Sequence, residues 1–342
     1  MAGDDLLDDL LRCILRFMLA REGAITSALA RRWRSLWLSS GTVNLDSRSY
    51  DHLDSYFRRL AIVRDANNAL AATDGGGFPV TKLTFWYVEG ADDPWDSHLS
   101  TFYYDDMHEG LRDMSEHLEA MLHRPASRHL EEFRLGLFFG PRHQELMYFL
   151  TIPYLSSSPA LRVLHLSQWA EKVREWGPRG SFPRLVELRL HLCCVSLHVL
   201  QGAIDAAPLL ATLQLDGVHI SLRHMADPPA VRSLHLRCPK VTSLVLVDFK
   251  CWGRQGENTM ELDAPLLRCF AYKGPPRQLS FKLRPPDMAR VDLSFQVPAA
   301  QVGTDDGMCR HFWKFIQNFS GANTISLNFE LSDTACLGDF CY

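Results

Sequence analysis

Few side chains in this sequence stand at spacings that could do chemistry. His219 and His224 are five residues apart and could offer two imidazoles to a metal, but a loop between strands is expected there. The Asp92-Asp93-Pro94-Trp95-Asp96 run could offer oxygens to a cation, and reads more simply as a solvated acidic loop. Fourteen histidines and nine cysteines are scattered, with no HExxH and no CxxC. Cys193 and Cys194 are adjacent, and Cys336 and Cys341 lack a second pair at zinc spacing, so reduced thiols are expected. Gly75-Gly76-Gly77 is followed by neither Lys-Ser/Thr nor a helix, which makes it a loop rather than a phosphate cradle. No GxSxG, GxGxxG, P-loop or kinase set is present. No catalytic, metal or cofactor-binding residue is therefore assigned, no cofactor is expected, and the chain does not read as an enzyme.

The elements that could position a binding surface are far clearer. From Asp5 to Leu19, Leu7, Leu10, Leu11, Ile14, Leu15 and Met18 recur at helical spacing, widened by Leu6 and Phe17, opposite Asp5, Asp9, Arg12 and Arg16. A second helical pattern from Glu22 carries Ile25, Leu29, Trp33, Leu36 and Trp37 on one side and stops at Gly41. Two short helices this apolar cannot close a core alone, so they must meet the rest of the chain or a partner. Arg21, Arg31, Arg32 and Arg34 read as a solvated helix face rather than a nucleic-acid contact, since the chain carries 36 basic against 40 acidic residues, a formal charge of −4.

Beyond residue 75 one motif recurs, with apolar residues at positions 0, +3 and +5. It runs from Val80-Leu83-Phe85 through Leu130-Phe133-Leu135, Leu161-Leu164-Leu166, Leu185-Leu188-Leu190 and Leu210-Leu213-Leu215. It continues as Val231-Leu234-Leu236, Val241-Leu244-Leu246, Leu267-Phe270-Tyr272, Met288-Val291-Leu293 and Ala322-Ile325-Leu327. Pro159, Pro183, Pro208, Pro229, Pro239, Pro265 and Pro286 each stand two residues before a unit, where a residue that cannot donate to a ladder suits the entry to a strand. A period of 20 to 29 residues with this core is a leucine-rich-repeat pattern. Leu111 to Leu122, Leu197 to Ile204 and Phe312 to Phe319 read as intervening helices, and residues 46–74, with Tyr56, Phe57 and Leu60, as a bridging helix. The expected fold class is α/β: a small helical module, then a leucine-rich-repeat solenoid with parallel strands on its concave face and helices on its convex face. Strand side chains alternate, which places His165, Glu187, Arg189, His191, Gln214, Asp216, His235, Arg237, Lys273, Arg290 and Asp292 on the concave face as candidate substrate-binding residues, a mixed and partly basic strip.

The run Leu6-Leu7-Asp8-Asp9-Leu10-Leu11, then Ala20-Arg21-Glu22, then Leu29-Ala30-Arg31-Arg32-Trp33-Arg34-Ser35-Leu36-Trp37, resembles a plant F-box. Ala264 to Gly274 and Phe312 to Phe319 resemble plant F-box proteins with leucine-rich repeats of the FBD type. The usual Leu-Pro opening is Leu6-Leu7 here, and the usual Leu-Pro between the helices is Met18-Leu19. The resemblance implies an F-box over residues 4–45, a bridging helix and linker over 46–79, the solenoid over 80–335 and a short tail over 336–342. It implies that Leu6, Leu7, Leu10, Leu11, Ile14, Leu15, Met18, Ile25, Leu29, Trp33, Leu36 and Trp37 grip a Skp-type adaptor, which links to a cullin, while the solenoid holds a target protein for ubiquitination. The alternative is a protein-binding scaffold that has lost ligase coupling. The end at Tyr342 suggests a shortened product, since such proteins often continue with further repeats. An acidic start and apolar runs too short to span a bilayer lead to an intracellular expectation, nucleus or cytoplasm, with neither membrane nor nucleic acid as partner.

Overall fold

The computed structural model describes residues 2–29, 31–88, 114, 116–138, 148–149, 159–170, 182–221, 233–252, 259–275, 278–298 and 306–332. The chain divides into two compact units, Met1–Arg184 and Leu185–Tyr342.

The first unit opens with three helices: α1 (Ala2–Leu15), α2 (Ala20–Leu29) and α3 (Arg31–Ser39). The apolar period from Glu22 to Trp37 continues through both α2 and α3, so the single helix expected there is two. Strand β1 (Thr42–Asp46) follows, then α4 (Ser55–Gly76), the bridging helix, with Asp54 accepting a 2.9 Å cap bond from the Phe57 amide. Gly75 and Gly76 finish this helix rather than forming a loop, and Gly77 caps it at φ 68°. Strands β2 (Lys82–Val88) and β3 (Glu132–Phe138) come next, then the two-residue β4 (Tyr148–Phe149), β5 (Val163–Ser167) and β6 (Trp169–Ala170). β1, β2, β3 and β5 pair in that order, all parallel, and β4 pairs with β6.

The second unit repeats the scheme. Its main sheet is β7 (Glu187–His191), β9 (Thr212–Asp216), β12 (Ser243–Val247), β15 (Cys269–Gly274), β17 (Arg290–Pro298) and β18 (Thr324–Ser332), paired in that order and all parallel. Behind it β8 (Cys194–Ser196), β10 (His219–Ser221) and β13 (Lys250–Trp252) form a short ladder. A third sheet joins β11 (Ser233–Arg237), β14 (Thr259–Asp263) and β16 (Leu279–Phe281). Among the described residues the unit also has two helices, α5 (Leu197–Asp205), capped by Ser196, and α6 (Asp306–Gln317). This is an α/β repeat fold built on parallel strands.

Two joints recur among the repeats. The proline occupies the second position of a tight turn that brings the first apolar residue back on itself: Leu210 N–H donates to Ala207 O at 3.0 Å, Val241 to Cys238 at 3.4 Å and Leu267 to Ala264 at 3.2 Å. One carbonyl then accepts two successive amides from the next strand, as Val186 O does from Ala211 and Thr212, both at 2.9 Å. Ala211 O does the same for Thr242 and Ser243, and Thr242 O for Arg268 and Cys269. At the far end the chain passes through a residue of positive φ, namely Gln168 (52°), Leu192 (51°), Gly217 (60°), Asp248 (43°) and Gly274 (147°). After Gln168 the chain enters β6, and after Leu192, Gly217 and Asp248 it leaves the main sheet for the short ladder. Cys193, Val218 and Phe249, each three residues past the last motif leucine, are buried there.

Leu188, Leu213, Leu244, Phe270 and Val291 form one buried row of the second unit, and Leu190, Leu215, Leu246, Tyr272 and Leu293 the next. An aromatic cluster packs near α6: Phe270 stacks on Phe319 at 5.0 Å, and Phe315 lies 4.9 Å from Tyr272 and 5.4 Å from Phe295. On β18 the corresponding side chains remain open, Ile325, Leu327 and Phe329 being 37%, 46% and 57% exposed.

Candidate functional site

Two surfaces carry the candidate binding residues of the sequence. The first lies on the N-terminal helices. Leu7, Leu10, Ile14 and Phe17 are 46%, 56%, 57% and 84% exposed, and Ile25 on α2 is equally open. Leu11, Met18 and Trp33 are half-buried. Leu15, Leu36 and Trp37 face inward and are buried, so they hold the helices together rather than offer a contact surface. The side chains of Leu6 and Leu29 lie outside the described residues.

Specific contacts hold this stripe outward. A Cβ on Gly23 would stand 2.3 Å from the Trp37 indole nitrogen, so α2 approaches α3 only because residue 23 has no side chain. Arg32 bridges to Asp8 at 2.5 Å, and Arg12 Nε donates to Ser39 Oγ at 3.3 Å, tying α1 to α3. The turn between α1 and α2 lacks a proline, and three bonds hold it. Asn44 Nδ2, from β1, donates to Arg16 O at 2.8 Å and Met18 O at 3.1 Å, and the Leu19 amide donates to Glu22 Oε2 at 3.3 Å. Arg21 donates to Ser49 O at 2.9 Å and lies 5.3 Å from the Tyr50 ring centre. Two of the four arginines in this region, Arg21 and Arg32, are therefore engaged within the chain. Tyr50 itself donates to Asp65 of α4, and burial with that carboxylate raises its pKa above the ordinary phenol value.

The second surface is the outward face of the main sheet in the second unit. Register places Glu187, Thr212, Ser243, Cys269, Arg290 and Thr324 in one row. Arg189, Gln214, Val245, Ala271, Asp292 and Ser326 form the next, then His191, Asp216, Val247, Lys273, Ser294 and Asn328. Of the residues expected on one face, Glu187, Arg189, His191, Gln214, Asp216, Lys273, Arg290 and Asp292 share these rows. His165 lies on β5 of the first unit, in register with Arg134. His235 and Arg237 are a correction: they belong to β11 of the separate three-stranded sheet, where His235 pairs with Glu261 at 2.8 Å and Arg237 reaches Asp205 of α5 at 2.9 Å. The ten-residue step between the Val231 and Val241 motifs has this cause. Two consecutive motifs feed two different sheets.

The strip is also not basic. Arg189 pairs with Glu187 at 2.5 Å, Arg290 with Asp292 at 2.7 Å and Lys273 with Glu330 at 2.9 Å. The last of these pairs raises the Lys273 pKa and lowers that of Glu330, each chiefly through their mutual hydrogen bond. Asp216 stands 4.0 Å from His191, and Asp248 is pushed up chiefly by burial. The acids Asp248 and Glu330 and the apolar centre at Val245 and Val247 were missed, because strands 243–247 and 324–332 were left out of the face. The alternation of their sequences places Val245, Val247 and Glu330 there, whereas Asp248 follows the strand at a positive φ and is not reached by alternation.

His219 is in β10 rather than a loop, with its pKa lowered by burial and by Lys250. His224, the Asp92–Asp96 run, Cys336 and Cys341 lie outside the described residues. Among the described residues no three His, Cys, Asp or Glu side chains cluster to hold a metal, and no helix is long and apolar enough to cross a membrane.

Residues 118–279 match the family model described as FBD-associated F-box protein At5g56370, LRR repeats. Over its repeats the chain is thus similar to F-box proteins with leucine-rich repeats of the FBD-associated type. Searches among curated proteins and among solved structures found no match.

Proposed function

We propose that this protein is a non-catalytic adaptor of a Skp–cullin–F-box ubiquitin ligase, with α1 to α3 acting as an F-box that binds a Skp-type adaptor. The repeats hold a target protein, and the mechanism is proximity: target lysines are raised to a high effective concentration near the conjugating enzyme. The observation that carries the reading is the exposed stripe Leu7, Leu10 and Ile14 on α1, continued by Phe17 in the turn after it, with a direction fixed by inward residues and polar ties. Such a patch is rare on a monomer without a partner. The bonds from Asn44 and Glu22 at the α1–α2 turn favour a working module over a decayed one, since they restrain the segment where proline is absent.

The test is co-expression with a plant Skp-type adaptor followed by size exclusion. A one-to-one complex is expected, and Leu10→Asp, at an exposed position, is expected to abolish it while leaving the circular dichroism spectrum unchanged. Retention of the complex by that variant counts against the assignment of α1, and absence of a complex with the folded wild-type chain refutes the adaptor role.

A further inference from the structure

The outward face of the second unit's main sheet has a charge pattern that selects a partner. Among the described residues it carries three cations, Arg189, Lys273 and Arg290, and five carboxylates, Glu187, Asp216, Asp248, Asp292 and Glu330. Each cation is paired to a carboxylate of its own face at 2.5 to 2.9 Å. The surplus falls on Asp216 and Asp248. Asp216 has only the His191 ring at 4.0 Å, and Asp248 has no ion-pair partner among the described residues. Both act electrostatically on Lys273, which is already hydrogen-bonded to Glu330. Asp216 and Lys273 flank Val247 in register, and an Asp248 carboxylate oxygen would lie 3.8 Å from a Cβ built on Gly274. Between the charged groups, Val245, Val247 and Ala271 are half-buried, a dry strip on an otherwise polar face.

Resting on the reading of this protein as one that holds a target, we propose that its ligand on this face is a basic, extended segment of that target. Alternate lysine or arginine side chains meet Asp216 and Asp248, and the apolar residues between them rest on Val245, Val247 and Ala271. An extended chain suits the site because side chains on one of its faces recur every ~7 Å, so that successive ones can reach groups on different strands, which lie ~5 Å apart beneath it. The carboxylates steer and select: Lys273 and Lys250 act on Asp248 only at longer range, so an acidic segment would still meet the excess of like charge on this face.

The experiment is fluorescence anisotropy on the full chain without any adaptor, using two labelled ten-residue peptides, one alternating lysine and valine, the other glutamate and valine. The lysine peptide is expected to bind, more weakly as salt rises, and the glutamate peptide is not. Asp216→Asn with Asp248→Asn should weaken lysine-peptide binding by about tenfold or more. Val247→Lys, a solvent-face change that seats a competing cation between the carboxylates, should weaken it similarly. The charge-matched control, Asp9→Asn with Asp51→Asn on the first unit, should leave it unchanged. Absence of lysine-peptide binding, equal binding of both peptides, equal loss in the control, or full affinity in both face variants overturns the proposal. Because no adaptor is present, any of these results is separable from failure of the ligase reading, which is decided by the adaptor complex alone.

Discussion

Gly217 joins β9 to the short ladder at φ 60°, and a Cβ there would stand 2.6 Å from Cδ2 of Leu192, the residue at the same joint one repeat earlier. Gly217→Ala therefore meets two costs. Left-handed backbone disfavours any L-residue by roughly 1–2 kcal/mol. Overpacking adds about 1 kcal/mol, at the low end of its range because the obstructing atom ends a flexible, partly exposed side chain. The sum expected is about 3 kcal/mol or a little less. Leu192→Gly removes the obstruction and relieves strain at its own φ of 51°, so the single change should cost little or stabilise. In that background Gly217→Ala should cost only the backbone part, leaving a coupling of about 1 kcal/mol. Native-state hydrogen exchange at the amides of β9 and β12 reads the local opening free energy without assuming that the two units unfold together. A Gly217→Ala cost below about 0.5 kcal/mol, or strict additivity with Leu192→Gly, would refute the account of the joint.

Leu15→Ala, at a fully buried position on α1, should destabilise the helical module by about 2–5 kcal/mol, seen as lost exchange protection in α1 and α3. Asn44→Ala removes both bonds to the α1–α2 turn and should cost about 1–3 kcal/mol, read as faster proteolysis near residues 16–19. Asp248 has a folded pKa above its ordinary value, so the folded state binds the extra proton and stability falls as pH rises through that window. Asp248→Asn should accordingly raise the melting temperature at neutral pH, with the gain shrinking as pH drops through the ordinary carboxylate range. A gain independent of pH would assign the effect to the backbone at φ 43° instead.

The strands were legible because three buried residues at fixed offsets repeat, most with a proline before them, and nine of the ten motifs lie on β2, β3 and β5 of the first unit or on main-sheet strands of the second. What the pattern does not encode is which sheet a strand joins. The motif on β11 has the same spacing as its neighbours, and only the tertiary pairing with β14 separates it. β1 was missed because its inward set is just Val43 and Leu45, with no proline ahead, and its strand character comes from pairing with β2. The short ladder was missed because segments of two or three residues show no period. The boundary between α2 and α3 was invisible because the apolar stripe continues across it. The exposed stripe on α1 was readable as amphipathic, but its division into the buried Leu15 and the open Leu10 and Ile14 depends on what packs beside it.

From the opening proline to the residue of positive φ is always nine positions, in Pro159–Gln168, Pro183–Leu192, Pro208–Gly217, Pro239–Asp248 and Pro265–Gly274. From that residue to the next of these prolines the count runs from 15 to 22. The invariant stretch contains the strand and its outward side chains, while the variable stretch holds the ladder, α5 and the strands β11 and β14. Insertions and deletions in the genome can thus accumulate behind the sheet without moving a single outward residue out of register. The chain can gain or lose mass while keeping its outward face, and can change that face by point substitution at alternate positions alone.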